Sequence, residues 1–330
     1  MRRRAITFIE LLIVIGIVAI IFAFAFPAVQ SARESSRRIQ CQNNTRQTLI
    51  GIQSHHTTFG ALPSFYNGTK LSYPLREWDL FHMHSWRVPL LPYVEQSALK
   101  ETIAWDLLAT ESKNLEVAQT IVPTFICPSG NDPSEMGWGA KHGAFGTPFE
   151  QLTDHDKYRV VRSDYDAMAG IQKLPDLHVP DGDSIDYVTL GIWGWPVFST
   201  GQTSNSRLSS YRQGKFRDVR DGLSNTIAIV ERTGKPIEYT DGRPDTSSDP
   251  NANYPGQVGW SASNSYMWSI NGNGIGVNDN NARGIYSFHA GGAYVGMADG
   301  AVRFLSESTD YETLIHLYGR SDGGLPERIR

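Results

Sequence analysis

Apolar positions are laid out along this chain in two regimes. From Ile6 to Val29 they run almost unbroken, preceded by Arg2, Arg3 and Arg4 and interrupted by a single charge, Glu10. A helix rises about 1.5 Å per residue and needs about 20 apolar residues to cross a bilayer core, so residues 6–29 predict a membrane-length helix. The arginine bias places Arg2–Arg4 in the cytoplasm and everything after Gln30 outside. Beyond Ser31 the pattern changes. Cys41, Thr45, Leu49, Ile52, His56 and Phe59 recur at three- or four-residue steps, the mark of one buried helix face. Arg33, Arg37, Arg38 and Arg46 fall on other faces. Residues 30–60 therefore predict an amphipathic continuation of the first helix, ended by Gly60 and Pro63.

From Leu62 onward the runs shorten. Thirty-one glycines, asparagine-rich turns and short aromatic-rich segments predict many short strands in residues 61–330. Two helical patches are expected, over 90–110 and 113–120. Tyr294–Ala298 and Ala301–Leu305 alternate on either side of Asp299-Gly300, the strongest short hairpin signal. Long loops are expected over 130–148, 176–186 and 240–256. No internal repeat stands out. The fold class is α+β: one long N-terminal helix, half in membrane and half packed on a mainly antiparallel β-sheet head with long loops. At 330 residues the chain buries the core of one large or two small domains. A net charge of −4, without a basic patch, gives no case for nucleic acid.

Glu10 is the residue to explain, because a carboxylate near the bilayer centre costs roughly 2.5–3.5 kcal/mol. One reading of the segment is a secretory signal peptide cut after Ala23-Phe24-Ala25, but such a segment gains nothing from a carboxylate. The run Ala5-Ile6-Thr7-Phe8-Ile9-Glu10 resembles the signal of type IV pilins and type II secretion pseudopilins, a small residue followed by an F-T-L-I-E-like stretch. The resemblance implies a leader of residues 1–5, cleaved after Ala5 by an inner-membrane prepilin peptidase that methylates the new amine of Ile6. It also implies that Glu10 pairs with the N-terminal amine of a neighbouring pilin-like subunit. Buried charges tolerate low dielectric only as partners. The family prefers glycine at Ala5 and phenylalanine at Ile6. Gly16 and Pro27 stand where pilin helices bend or loosen on assembly; a tolerated membrane-helix proline is the plain alternative.

A second resemblance spans residues 1 to about 306. Cys41-Gln42-Asn43-Asn44, Leu90-Leu91-Pro92-Tyr93-Val94-Glu95-Gln96, Phe125-Ile126-Cys127-Pro128-Ser129, Ser163-Asp164-Tyr165, Arg217–Thr226 and His289-Ala290-Gly291-Gly292 follow in order. The chain is similar to a large family of pilin-like exported proteins of unknown function, abundant in planctomycetes. That family carries a C-terminal His-x9-Asp-Gly motif, here His289 with Asp299-Gly300.

Candidate chemistry in the head is sparse. Cys41 and Cys127 are the only cysteines, and an even count in an exported protein suggests a bridge, two buried free thiols being the alternative. In the His-x9-Asp-Gly motif, Gly300 is expected to supply a positive φ and Asp299 to cap its own turn, with a His289–Asp299 hydrogen bond across the hairpin. Ser287 lies close to His289 but has no orienting acid beside it, so no nucleophile travels with the pair. Asp221-Gly222 is a second turn, capped by Ser224 or Asn225. Asp218 with Asp221 is a minority cation site. Asp249–Asn253 starts like a calcium loop but has Tyr254 at the glycine position and Trp260 at the last carboxylate position. Residues 271–281 hold one acid, Asp279. His82 with His84 and His55 with His56 lack a third ligand at zinc spacing. Trp193 and Trp195 read as sheet core before sugar platforms.

No cofactor is expected. Three functions remain: a non-enzymatic pilin-like or pseudopilin-like subunit held in the inner membrane with its head periplasmic or at the cell surface; an anchored extracytoplasmic binding protein, for instance for polysaccharide; and an exported hydrolase. Glu10 and the uninterrupted helix favour the first. A head this large would crowd a tightly wound fibre, which points to a minor, tip or short-pseudopilus role.

Overall fold

The computed structural model describes residues 8–68, 82–111, 113–130, 132, 137–140, 157–172, 184–185, 188–198, 208–235, 237–244, 259–262, 266–270, 276–282 and 284–321. The first helix, α1, is continuous over Phe8–Phe59 and passes through both Gly16 and Pro27. Its two halves differ in surroundings. Among residues 8–29 the large apolar side chains are exposed, from Val18 at 43% to Phe8 at 79%. Below Gln40 the helix is docked, and Cys41, Asn44, Thr45, Thr48, Leu49, Gly51, Ile52 and His55 are buried. This stripe is wider and rotated relative to the expected one. His56 is half-buried against Phe216, with ring centroids 4.3 Å apart, and Phe59 is exposed. Polar members fit because Thr45 and Thr48 donate to the carbonyls of Cys41 and Asn44 one turn back. Gly60 ends the helix with φ +72°, its N–H on the His56 carbonyl.

Helical structure over 90–110 is shorter than expected. A 3-10 turn covers Val88–Val94 and α2 covers Ser97–Thr102; turns follow. Pro89 and Pro92 lack the N–H groups that an α-helical ladder needs, so the chain tightens instead. In the 113–120 patch only Asn114–Val117 is helical (α3). The last helix, α4, covers Tyr311–Tyr318 and starts where Asp310 accepts the Thr313 N–H at 2.7 Å.

The strands are β1 (Gly137–Ala140), β2 (Lys157–Val160), β3 (Tyr165–Gln172), β4 (Ser184–Ile185), β5 (Val188–Leu190), β6 (Gly194–Phe198), β7 (Leu208–Gln213), β8 (Ile227–Glu231), β9 (Tyr239–Thr240), β10 (Arg243–Pro244), β11 (Tyr266–Ile270), β12 (Gly292–Met297) and β13 (Val302–Ser306). Seven form one mainly antiparallel sheet in the order β13-β12-β8-β3-β5-β4, with β11 parallel to β3. Ala167 pairs with both Ile229 and Tyr266, so β8 and β11 lie on opposite edges of β3. The strand β8 reads Ile-Ala-Ile-Val-Glu and is buried throughout. It needs no polar alternation because both faces are covered. On one face Ala167, Ala169 and Ile229 meet Leu49 and Ile52 of α1; on the other Met168, Val230 and Val295 meet Leu314 and Leu317 of α4.

The β12–β13 hairpin turns as expected on Asp299-Gly300. Gly300 has φ +92°, and Asp299 Oδ1 accepts the Ala301 N–H at 2.8 Å. The α+β architecture is thus the expected one: a long N-terminal helix on a mainly antiparallel sheet.

Candidate functional site

The chain's chemistry converges where α1 enters the head. Cys41 on α1 and Cys127, after the 3-10 turn Pro123–Phe125, form a buried disulfide across 86 residues of sequence. The loop is seated by polar contacts. Asn44 donates through Nδ2 to the carbonyls of Ile126 (2.8 Å) and Pro123 (3.2 Å), and the Cys127 N–H donates to Asp164 Oδ2 at 2.8 Å. Tyr165, the first residue of β3, donates its hydroxyl to the Cys41 carbonyl at 3.3 Å.

His289 lies against this bridge, fully buried. Its Nδ1 is 2.9 Å from Glu34 Oε1 on α1, and its Nε2 is 3.4 Å from Glu231 Oε1 and 3.7 Å from Cys127 Sγ. Ser287 sets the approach: its hydroxyl donates to the Gly292 carbonyl and accepts the His289 N–H. Burial opposes the proton on His289, but hydrogen bonds and charge from Glu231 and Glu34 outweigh it and raise the pKa. Glu34 is half-buried. Burial alone would lift its pKa, yet His289 and Arg37, whose Nη2 is 2.7 Å away, draw it below the usual carboxylate range. Ser129 also faces Glu34, at 3.3 Å. Arg38 donates to the Ala290 carbonyl and lies over the Phe304 ring. A polar collar thus surrounds the bridge where the apolar half of α1 leaves the head.

Behind the collar is a buried ion cluster. Asp166 meets Arg87 at 2.8 Å, Arg232 at 3.0 Å and Lys235 at 2.7 Å. Burial would raise Asp166, but the three cations outweigh it and hold the carboxyl down to about 2. Lys235 is lowered to about 7, first by burial and then by Arg232. Beside it, Asp164 pairs with Arg162 at 3.0 Å. These side chains are at most 7% exposed, so the cluster is part of the core. A surface hollow lined by Pro92, Ser97, Lys100, Glu101, Ile103 and Trp105 includes none of these groups.

The expected His289–Asp299 hydrogen bond is not formed. Both ring nitrogens of His289 face Glu34, Glu231 and the bridge, while Asp299 is used by its own turn. Asp221, Gly222 and Asn225 make the expected turn before β8. Gly222 has φ +96°, Asn225 donates through Nδ2 to the Asp221 carbonyl, and its N–H reaches the Gly222 carbonyl. Trp193 is core, packed on Phe65 and Trp86. His82 and His84 are both buried: His82 bonds Thr110, and the His84 ring packs at a tilt against Trp105. His55 bonds the Ala61 carbonyl. Asp279 binds the Gly276 N–H. Glu10, Gly16 and Pro27 all lie on α1. Ala5 and Ile6, the stretch Asp249–Asn253 and most of the expected long loops lie outside the described residues.

Sequence reasoning missed Glu34, Glu231, Arg87, Arg162, Asp166, Arg232 and Lys235. The one signal was charge directly abutting apolar runs, as in Ile227–Glu231 followed by Arg232.

The bridge, the collar and α1 define a protein whose sheet head is stapled to one long N-terminal helix. The chain belongs to the family of proteins of unknown function designated DUF1559, whose sequence profile matches residues 30–312. No curated protein and no solved structure matches it.

Proposed function

We propose that this protein is a non-enzymatic, pilin-like subunit. It is inserted in the inner membrane by a prepilin-type signal, cleaved after Ala5 and methylated on Ile6. Its helix then meets other pilin-like subunits while the head projects outside. One observation carries the reading: α1 is a single helix whose first half is apolar, bare and long enough to cross a membrane, while its second half is covalently tied to the head. Each large apolar side chain left in water forfeits about 1.5–3 kcal/mol, so residues 8–29 require lipid or other helices around them. A plain anchor would suffice for lipid. Glu10 favours the assembling version, since a carboxylate inside a membrane-length apolar run is costly and the pilins that the signal resembles use it to meet a neighbouring subunit's terminal amine. The buried ion cluster, closed to solvent, supports a head that is a rigid body rather than an enzyme.

Glu10→Ala tests this directly. The variant is expected to be cleaved normally and to accumulate in the membrane fraction without entering higher assemblies detected by cross-linking. Unchanged assembly and surface presentation would leave only an anchored protein, and the subunit reading would fail.

A further inference from the structure

A structural disulfide needs no histidine or carboxylate at its side, yet this one has both. Cys41, Cys127, His289 and Glu231 come from four separate segments, α1, the loop after Phe125, the approach to β12 and the end of β8, and their donor atoms lie within 4.8 Å of one another. Burying Glu231 costs free energy that the disulfide does not return. We propose that these four residues are the ligands of a Zn²⁺ site that forms when the disulfide is reduced, the disulfide being the metal-free, oxidised form of the same staple.

The donor set is the first argument. Two thiolates, an imidazole and a carboxylate match zinc, whereas calcium and magnesium take oxygen ligands. Geometry is the second. Zinc–sulfur distances of about 2.3 Å and zinc–nitrogen or –oxygen distances of about 2.0–2.2 Å put tetrahedral donors about 3.3–3.8 Å apart. His289 Nε2 is already 3.4 Å from Glu231 Oε1 and 3.7 Å from Cys127 Sγ. The sulfurs must part, and the other donor pairs start within 4.8 Å of one another. Outer support is the third argument. A zinc-bound histidine commonly gives its other N–H to a carboxylate, and His289 Nδ1 is 2.9 Å from Glu34. Glu231 Oε2 is fixed by the Tyr294 N–H at 2.9 Å; Oε1, buried, faces His289 Nε2 at 3.4 Å.

The step balances with a dithiol reductant. The dithiol supplies two electrons and two protons and becomes a disulfide, while the Cys41–Cys127 bond breaks into two thiols. Zinc then expels both thiol protons, and the Nε2 proton of His289 where it is carried. Either closure ties α1 to the head, and the inference does not rest on the subunit reading.

The test uses the full chain in detergent, oxidised or reduced anaerobically with a phosphine, then given ZnCl₂ or CoCl₂ and freed of excess. The reduced chain is expected to retain one zinc and the oxidised chain none. Cobalt should show thiolate-to-metal charge-transfer absorption. His289→Ala and Glu231→Gln should each weaken zinc binding at least tenfold, and Glu34→Gln about tenfold. Equal zinc in both redox forms, no zinc in either, or variants that bind like the parent would overturn the proposal. Should reduction unfold the head, recovery of its tryptophan emission on adding zinc supports the site, and failure to recover overturns it.

Discussion

Replacing Cys41 and Cys127 by alanine measures how much of the head's stability the staple carries. The bridge joins positions 86 residues apart. Closing a loop of that length removes unfolded-chain entropy equivalent to about 4.6 kcal/mol at 25 °C. Domains are stable by only about 5–15 kcal/mol, so the double variant should lose a third or more of the total. Guanidinium unfolding of the full chain in detergent, without added metal, reads this loss. All eight tryptophans lie beyond residue 61, so their emission follows the head and ignores the membrane half of α1. With a slope of about 4 kcal/mol/M, the midpoint should fall by about 1 M. The slope itself should rise, because an uncrosslinked chain exposes more surface when unfolded. Either single substitution opens the same loop. Cys41→Ala, Cys127→Ala and the double variant should therefore agree within about 0.5 kcal/mol instead of adding. A double variant within about 0.2 M of the parent, or single effects that sum, would refute the reasoning and leave the docking of α1 to Leu49, Ile52 and the asparagine contacts.

Asp166→Asn leaves Arg87, Arg232 and Lys235 without their shared counter-charge, and should cost about 3–5 kcal/mol at neutral pH by the same unfolding assay. The folded carboxyl sits near 2 against an ordinary 3.8. Its stabilisation is thus present above pH 3.8 and lost as pH falls towards 2, so the gap between parent and variant should close by about 2 kcal/mol over that window. A gap that stays constant or widens on acidification would contradict the ion-cluster assignment. Gly300→Ala places a side chain at φ +92° and should cost about 1–2 kcal/mol. Gly292→Ala should cost more, since a Cβ there would meet the Leu305 carbonyl oxygen at 1.9 Å; denaturant midpoints that rank the two the other way would contradict the hairpin's geometry.

Much of the fold was legible because its signals are local. The apolar run and the three- and four-residue steps after it predict α1, and Asp299-Gly300 between alternating runs predicts the β12–β13 hairpin. The cysteine pair was legible from its even count together with the expectation of export. Local signals also mislead where one residue type serves two structures. The apolar spacing over 90–110 suits a helix, but Pro89 and Pro92 turn it into a 3-10 segment. The site was less legible because its partners are remote. His289 meets Glu34 from 255 residues away and Glu231 from the end of β8, the strand beside β12, and nothing in spacing along the chain announces either contact. Asp299, ten residues from His289, was the nearer candidate, yet its carboxylate is spent on its own turn. The core charges escape notice for the same reason: Asp166 stands in a strand, and only folding brings Arg87 and Lys235 to it.

The central claim is that the bare half of α1 stays on the mature protein and assembles there. Intact mass and terminal sequencing of the chain purified from membranes test it most directly. The account predicts a mature chain that begins at Ile6 with a methylated amine and retains Glu10. A chain that begins at Phe26 would contradict it, because cleavage there removes Glu10 and most of the apolar half and leaves a secreted head.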